Sequence, residues 1–292
     1  MLHWKGYFTS LKDSISHARC SLLERKLIAI DLDGTTLNAD AQISAKTKAV
    51  LTQAREAGHI VSIVTGRPNR ISANFYDDLH LDGPMINFNG SLGHIPHQHW
   101  HDEYQYTFSK DVAFDLLAHR AELGINMIAA EGKNLFLAVR DRPVEVGFFP
   151  TVLQSNEILN QKTLQQNPIS LTVAVDRSHE DHLLSYLRHN FDDVVDAAPW
   201  GGPNAVVELG VKGVQKATGV EALAHHYQID RKNIIAFGDE HNDAAMIDYA
   251  GWGVAMQNAT EPIKSLANDM TARDNDHDGL ADYLQDYLKL AE

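Results

Sequence analysis

Two aspartates stand one residue apart in Leu27-Ile-Ala-Ile-Asp31-Leu-Asp33-Gly34-Thr35-Thr36-Leu37, directly after four apolar residues. A short apolar run bounded by a turn signal reads as a strand buried in a parallel sheet, where an unpaired charge is costly. The carboxylates therefore belong at the strand's C-terminal end, the edge at which open α/β sheets bind ligands. Other strands end in similar loops. Residues 60–64 run into Thr65-Gly66-Arg67-Pro68, Pro84-Met-Ile-Asn-Phe88 into Asn89-Gly90, and 233–237 into Gly238-Asp239-Glu-His-Asn242-Asp243. Polar and glycine-bearing loops thus gather on one predicted edge.

The elements needed to hold them are legible as a rhythm. After the first strand, residues 44–57 have helical character and close at Gly58, and a second strand follows, which makes a βαβ unit. Between about 93 and 199 the texture changes to strands near 104–108, 135–139 and 169–175 with helices near 110–123 and 179–190, an α+β insert of domain size. The α/β rhythm resumes after Val206-Val-Glu-Leu209, with a helix over 214–227 and a last short strand over 250–256. The expected fold is α/β, a doubly wound parallel-sheet (Rossmann-like) core over 27–92 and 200–292 with an inserted α+β domain over 93–199. Residues 1–26 space Trp4, Phe8, Leu11, Ile15 and Leu22 as an amphipathic extension.

Composition narrows the function classes. The chain has 292 residues, 44% of them hydrophobic, and a formal charge of −14, which argues against nucleic acid as a partner because phosphate backbones are held by clustered Lys and Arg. A small anionic substrate needs local positive charge from a metal ion or a placed lysine. The single cysteine, Cys20, suits a reducing compartment. No apolar run of membrane-spanning length and no ordered secretory signal occurs, so a cytoplasmic address without a membrane span is expected. The sequence sets no oligomeric state.

Taken together, Asp31-Leu-Asp33-Gly34-Thr35, Thr65-Gly66-Arg67, Lys216 and Gly238-Asp239-Glu-His-Asn242-Asp243 resemble the four motifs of the haloacid dehalogenase-like phosphatases. Pro84-Met-Ile-Asn-Phe-Asn-Gly90, Ala255-Met-Gln-Asn-Ala-Thr260 and Asp278-Gly279 resemble the Cof-type subfamily, whose cap is inserted between the second and third motifs. The resemblance covers nearly everything after residue 26 and implies hydrolysis of a small phosphorylated metabolite, a sugar phosphate first among them. It implies Asp31 as the nucleophile that becomes an aspartyl phosphate, and Asp33 as the group that protonates the leaving oxygen and then activates water. Two carboxylates facing a phosphate repel it, so a cation is needed, and the family assigns Mg²⁺ to Asp31, the Asp33 backbone carbonyl and Asp239, with Asp243 steadying the metal's waters or the lysine. Thr65, the amide of Gly66, Lys216 and Asn242 correspond to the phosphate-binding positions, with Lys212 a rival for the lysine. Thr36 departs from the leucine more usual in the family.

Other readings stand beside these. A phosphosugar mutase or phosphotransferase would use the same core and cap, and a receiver-like signalling protein would merely hold phosphate on its aspartate. Asp274-Asn-Asp276-His-Asp278-Gly279 imitates the start of a calcium loop, yet its twelfth position is Gln285, so a solvated turn is expected. His94, His97, His99 and His101 cluster, the last three alternating as if on one strand face, and are expected as exposed hairpin residues rather than a metal site. Gly201-Gly202-Pro203 reads as a return linker, and Arg140, Arg142 and Trp200 are the insert's candidate substrate contacts.

Overall fold

The computed structural model describes residues 24–140, 149–150, 152–200 and 205–291. The expected amphipathic helix, Cys20, Arg142 and the Gly201-Gly202-Pro203 linker lie outside the described residues. In chain order the strands are β1 (Leu27–Ile30), β2 (Ile60–Ile63), β3 (Met85–Asn87), β4 (Leu92–His94), β5 (Tyr104–Gln105), β6 (Ile125–Gly132), β7 (Leu135–Arg140), β8 (Ser170–Val175), β9 (Val195–Pro199), β10 (Val206–Val211), β11 (Ile234–Gly238), β12 (Trp252–Ala255) and β13 (Asp269–Met270). The α-helices are α1 (Ala45–Glu56), α2 (Ala73–Asp78), α3 (Asp111–Ala118), α4 (Glu180–Phe191), α5 (Lys216–Tyr227), α6 (Ala244–Tyr249), α7 (Glu261–Leu266) and α8 (Gly279–Leu288).

A parallel sheet in the order β13-β12-β11-β1-β2 carries β1 near its centre, where all four residues are buried. Helices cover both faces. Ile28, Ile30, Ile235 and Phe237 pack with Val50, Leu51 and Ala54 of α1 and Leu280, Leu284 and Leu288 of α8. On the opposite face Leu27, Ala29 and Ala236 meet Val220, Leu223 and Ala224 of α5 and Met246 of α6. The alternation of one strand's residues between two helical layers is what makes its whole run apolar. Ser44 starts α1 as an N-cap, its hydroxyl accepting the Thr47 amide at 3.0 Å. Among the described residues no helix is long and apolar enough to cross a membrane.

A second, antiparallel sheet runs β7-β6-β8-β10-β9. Its one face is covered by α3 and α4, through Val112, Ala113, Leu116, Leu183 and Leu187. Strand β10 lies here, paired with β8 and β9, although the expected boundary at 200 put it with the parallel core. The insert also starts later than 93, because β4 and β5 form a three-stranded sheet with β3 that continues from the core through the Val64–Ile86 bridge. Local pattern fails at both joins for one reason: an apolar strand such as Val206-Val-Glu-Leu209 reads alike whichever sheet receives it. Strands β4, β6, β9 and β13 have no counterpart in the expected elements, and α3 ends at Ala118 rather than 123.

Candidate active site

Asp31 is the first residue past β1, and its amide still donates to the Phe237 carbonyl on β11 at 3.2 Å. The chain then turns through Gly34 at φ +73°, and the Thr36 hydroxyl donates back to the Asp31 carbonyl. That hydrogen bond gives Thr36 a structural use. A Cβ on Gly34 would stand 2.2 Å from Asp239 Oδ2, so backbone conformation and neighbour both require glycine.

Lys216, the first residue of α5, is fully buried, and its Nζ donates to Asp31 Oδ1 at 2.5 Å and to Asp243 Oδ1 at 2.6 Å. Asp243 Oδ2 accepts the amides of Asp239 at 2.9 Å and Glu240 at 3.1 Å, so this carboxylate ties the loop after β11 to the lysine. Thr35 donates to Asp239 Oδ1 at 2.9 Å. Lys212, the rival lysine, is instead engaged with Asp192 and Asp196 at 3.3 and 3.0 Å.

Oxygens of Asp31, Asp239 and Asp243 lie within 4.8 Å of one another. Burial lifts the Asp31 carboxyl well above its usual range against the pull of Lys216, and burial with the Asp243 charge pushes Asp239 up to about 7. For Lys216 burial alone would favour the neutral amine, but Asp243 and Asp31 outweigh it and hold the ammonium above its ordinary value. Three carboxylates gather around one ammonium, and the reluctance of Asp31 and Asp239 to ionise marks a site short of positive charge. Clustered hard oxygen donors with that deficit suit a divalent cation such as Mg²⁺.

Asp33 departs from this group. Its side chain is 60% exposed and both its oxygens accept from Arg67, Nη2 to Oδ1 at 2.5 Å and Nε to Oδ2 at 2.7 Å. Thr65 is buried beneath, its hydroxyl accepting the Arg67 amide at 3.1 Å. Asn242 donates to Asn89 Oδ1 at 3.1 Å, and a Cβ on Gly66 would come 2.9 Å from that same oxygen. The predicted phosphate-binding loops thus meet at Asn89, a residue to which the sequence assigned no role. Arg67 stands within its motif with no implied role either, and the signal for both is their place in glycine-bearing loops at strand ends.

A buried network fixes this loop from behind. Asn87 donates to the Arg67 carbonyl at 2.7 Å and to Ser72 Oγ at 2.8 Å, which leaves Asn87 Oδ1 to accept from His94 Nε2 at 2.8 Å. His94 is fully buried, and burial pushes it down to about 4, so it is a neutral structural donor. Its sequence neighbours diverge from it. His97, at φ 62°, meets Asp77, and His101 meets Asp102, in turns rather than on one strand face, because the strand stops at His94. In the calcium-like loop Asp276 Oδ1 accepts the Ala39 amide at 2.6 Å and Asp278 accepts from Ser44, so these carboxylates clamp the loop after Asp33 onto α1 and α8 rather than converging.

A parallel sheet thus carries buried carboxylates and a lysine at its C-terminal edge. The profile of the haloacid dehalogenase-like hydrolases matches residues 28–284, and the chain belongs to that family. Within it the chain is a Cof-type phosphatase. It is 32% identical over 265 residues to the 5-amino-6-(5-phospho-D-ribitylamino)uracil phosphatase YitU of Bacillus subtilis (strain 168), covering 90% of this chain and 98% of YitU. YcsE of the same organism, a phosphatase named for the same compound, is 28% identical over 90% of this chain and 96% of its own length. The crystal structure of TM0651 from Thermotoga maritima superposes with a TM-score of 0.78 at 22% identity, over 92% of this chain and 98% of TM0651.

Proposed function

We propose that this Cof-type phosphatase is Mg²⁺-dependent and hydrolyses the phosphate ester of a small sugar or polyol through an aspartyl phosphate on Asp31. The observation that carries the reading is the buried Lys216 bridging Asp31 and Asp243 beside Asp239. Lysine holds Asp31 Oδ1, so Oδ2, which makes no hydrogen bond among the described residues, is the oxygen presented to phosphorus. Its bond to phosphorus forms as the ester bond breaks, and Asp33 gives a proton to the departing alkoxide. Asp33 then takes a proton from water as water cleaves the acyl phosphate, regenerating Asp31 and releasing phosphate. To do so Asp33 exchanges Arg67 for the leaving oxygen, a swap that its exposed position at the rim permits.

Asp31, Asp239 and the Asp33 carbonyl would hold the metal ion, with Asp243 behind them fixing Lys216. The ion would supply charge neutralisation for the incoming phosphate. Thr65, the Gly66 amide, Lys216 and Asn242 line the transferring group. The antiparallel unit acts as a cap over the site, and Arg70 in the loop after β2 reaches Glu131 on β6 at 2.7 and 3.1 Å, joining the two. The relatives named for a ribityl phosphate put that compound first among the polyol esters to offer.

The test is phosphate release from a panel of phosphorylated metabolites with and without Mg²⁺. Asp31→Asn is expected to abolish turnover with an unchanged circular dichroism spectrum; appreciable hydrolysis by that variant would remove the covalent step. A mutase would return an isomeric phosphosugar and no inorganic phosphate.

A further inference from the structure

The turn between β3 and β4 holds three successive residues at positive φ, Phe88 at 51°, Asn89 at 52° and Gly90 at 105°. Asn-Gly is a common hairpin pair, but a bulky side chain rarely takes φ above zero and stays there only where neighbours over-determine it. The neighbours here are the loops of the proposed phosphate pocket. The amides of Phe88 and Asn89 donate to the carbonyls of Arg67 at 3.4 Å and Thr65 at 3.1 Å, so the turn brackets Gly66. A Cβ on Gly90 would collide with the carbonyl of Gln215, the residue before Lys216, so the turn also lies against the start of α5. From the loop after β11, Asn242 Nδ2 donates to Asn89 Oδ1 at 3.1 Å.

The carboxamide of Asn89 therefore meets two residues of that pocket. A Cβ on Gly66 would have as its three nearest neighbours Oδ1, Nδ2 and Cγ of Asn89, at 2.9, 3.2 and 3.4 Å, so the amide group lies directly against Gly66. On its other side Oδ1 accepts one hydrogen of Asn242 Nδ2, and among the described residues neither side chain makes another hydrogen bond. A carboxamide can present its oxygen or its NH2 group. A phosphoryl group offers only acceptors, so the NH2 end of Asn242 is the useful one, and with one hydrogen held by Asn89 the second is left for a phosphoryl oxygen.

We propose that Asn89 is a positioning residue of phosphoryl transfer, whose Oδ1 holds the NH2 group of Asn242 in the orientation that meets the transferring phosphate. This rests on the phosphatase reading and on the phosphate contact given there to Asn242. Asn89 acts through Asn242 and touches no reacting atom. Asparagine suits the place twice over, since it supplies the acceptor and tolerates the left-handed backbone that sets the carboxamide between Gly66 and Asn242.

Asn89→Gly removes the carboxamide and keeps the backbone conformation, which separates the side chain from the turn. With p-nitrophenyl phosphate and Mg²⁺ its kcat/KM is expected to fall by about tenfold to hundredfold, and the inhibition constant of inorganic phosphate to rise, while the urea midpoint stays close to wild type. The decisive comparison is with Asn242→Ala. In that background Asn89→Gly is expected to lower kcat/KM by less than about twofold, because the group it orients is gone, whereas a merely structural role would leave the full loss. Gly66→Ala pushes the same carboxamide aside without changing residue 89, and its loss should likewise shrink in the Asn242→Ala background, an independent reading should Asn89→Gly fail to fold. Wild-type kinetics in a folded Asn89→Gly or in Asn242→Ala, or losses that multiply in full in the double variants, overturn the inference and leave the phosphatase reading standing. No phosphate from any ester by the wild type overturns both.

Discussion

At the scale of single residues, the lysine decides how the site is built. Lys216 has no exposed surface and two carboxylate partners, so its replacement by Met strands Asp31 and Asp243 in a dry environment. Removing one partner of such a buried set is expected to cost about 3–5 kcal/mol, measurable by urea denaturation, together with loss of phosphate release. Lys212→Met, at the surface with Asp192 and Asp196, is expected to leave both readings close to wild type, and equal effects of the two replacements would refute the assignment. Asp33 acts differently because it touches Arg67 at the rim rather than the buried cluster. Asp33→Asn keeps the shape and removes the proton transfer, so kcat is expected to fall by about 10²–10⁴-fold without loss of stability. Wild-type turnover in that variant would show that another group moves the proton.

Among elements, the loop after β2 is held by groups that never touch substrate. Asn87 on β3 and His94 on β4 lock the Arg67 carbonyl from behind, so a hairpin outside the parallel sheet sets where Thr65, Gly66 and Arg67 lie. The histidine ties this to pH. Its folded value, pushed down to about 4, lies below the unfolded reference of roughly 6.5. The unfolded chain therefore binds the extra proton between those values, and the contribution to stability is fully present above pH 6.5 and is lost as pH falls toward 4. About 3 kcal/mol of acid sensitivity is expected from this group. Urea denaturation at pH 4.5 and pH 7 should show a smaller difference in His94→Gln than in wild type, and equal differences would mean that His94 titrates normally.

At the scale of the whole molecule, the two sheets communicate through Arg70 and Glu131. Glu131 is 4% exposed and burial raises its carboxyl despite the guanidinium beside it, so a large part of the pair's attraction offsets desolvation. Arg70→Met should be more harmful than the Arg70→Met, Glu131→Leu double replacement, because only the single variant leaves a buried carboxylate without its counter-charge. A double-mutant cycle by chemical denaturation measures this, and additivity of the two single effects would show that the pair is not coupled.

Much of this protein was legible before any coordinates. Four apolar residues followed by Asp31-Leu-Asp33-Gly34 require a buried strand with acids at its end, because a charge is excluded from the sheet but stable at its edge, and β1 ends at Ile30 with Asp31 next. The βαβ rhythm is local, set by Ser44, Gly58 and period, and α1 lies within one residue of its expected ends. Which sheet a strand joins was not local. Val206–Val211 entered the antiparallel sheet through partners some 35 residues away in β8, and nothing in six residues records a partner at that distance. The same holds for side-chain meetings: the choice of Lys216 over Lys212, the Arg67 grip on Asp33 and the meeting of loops at Asn89 each depend on chain segments brought together only by the packed fold.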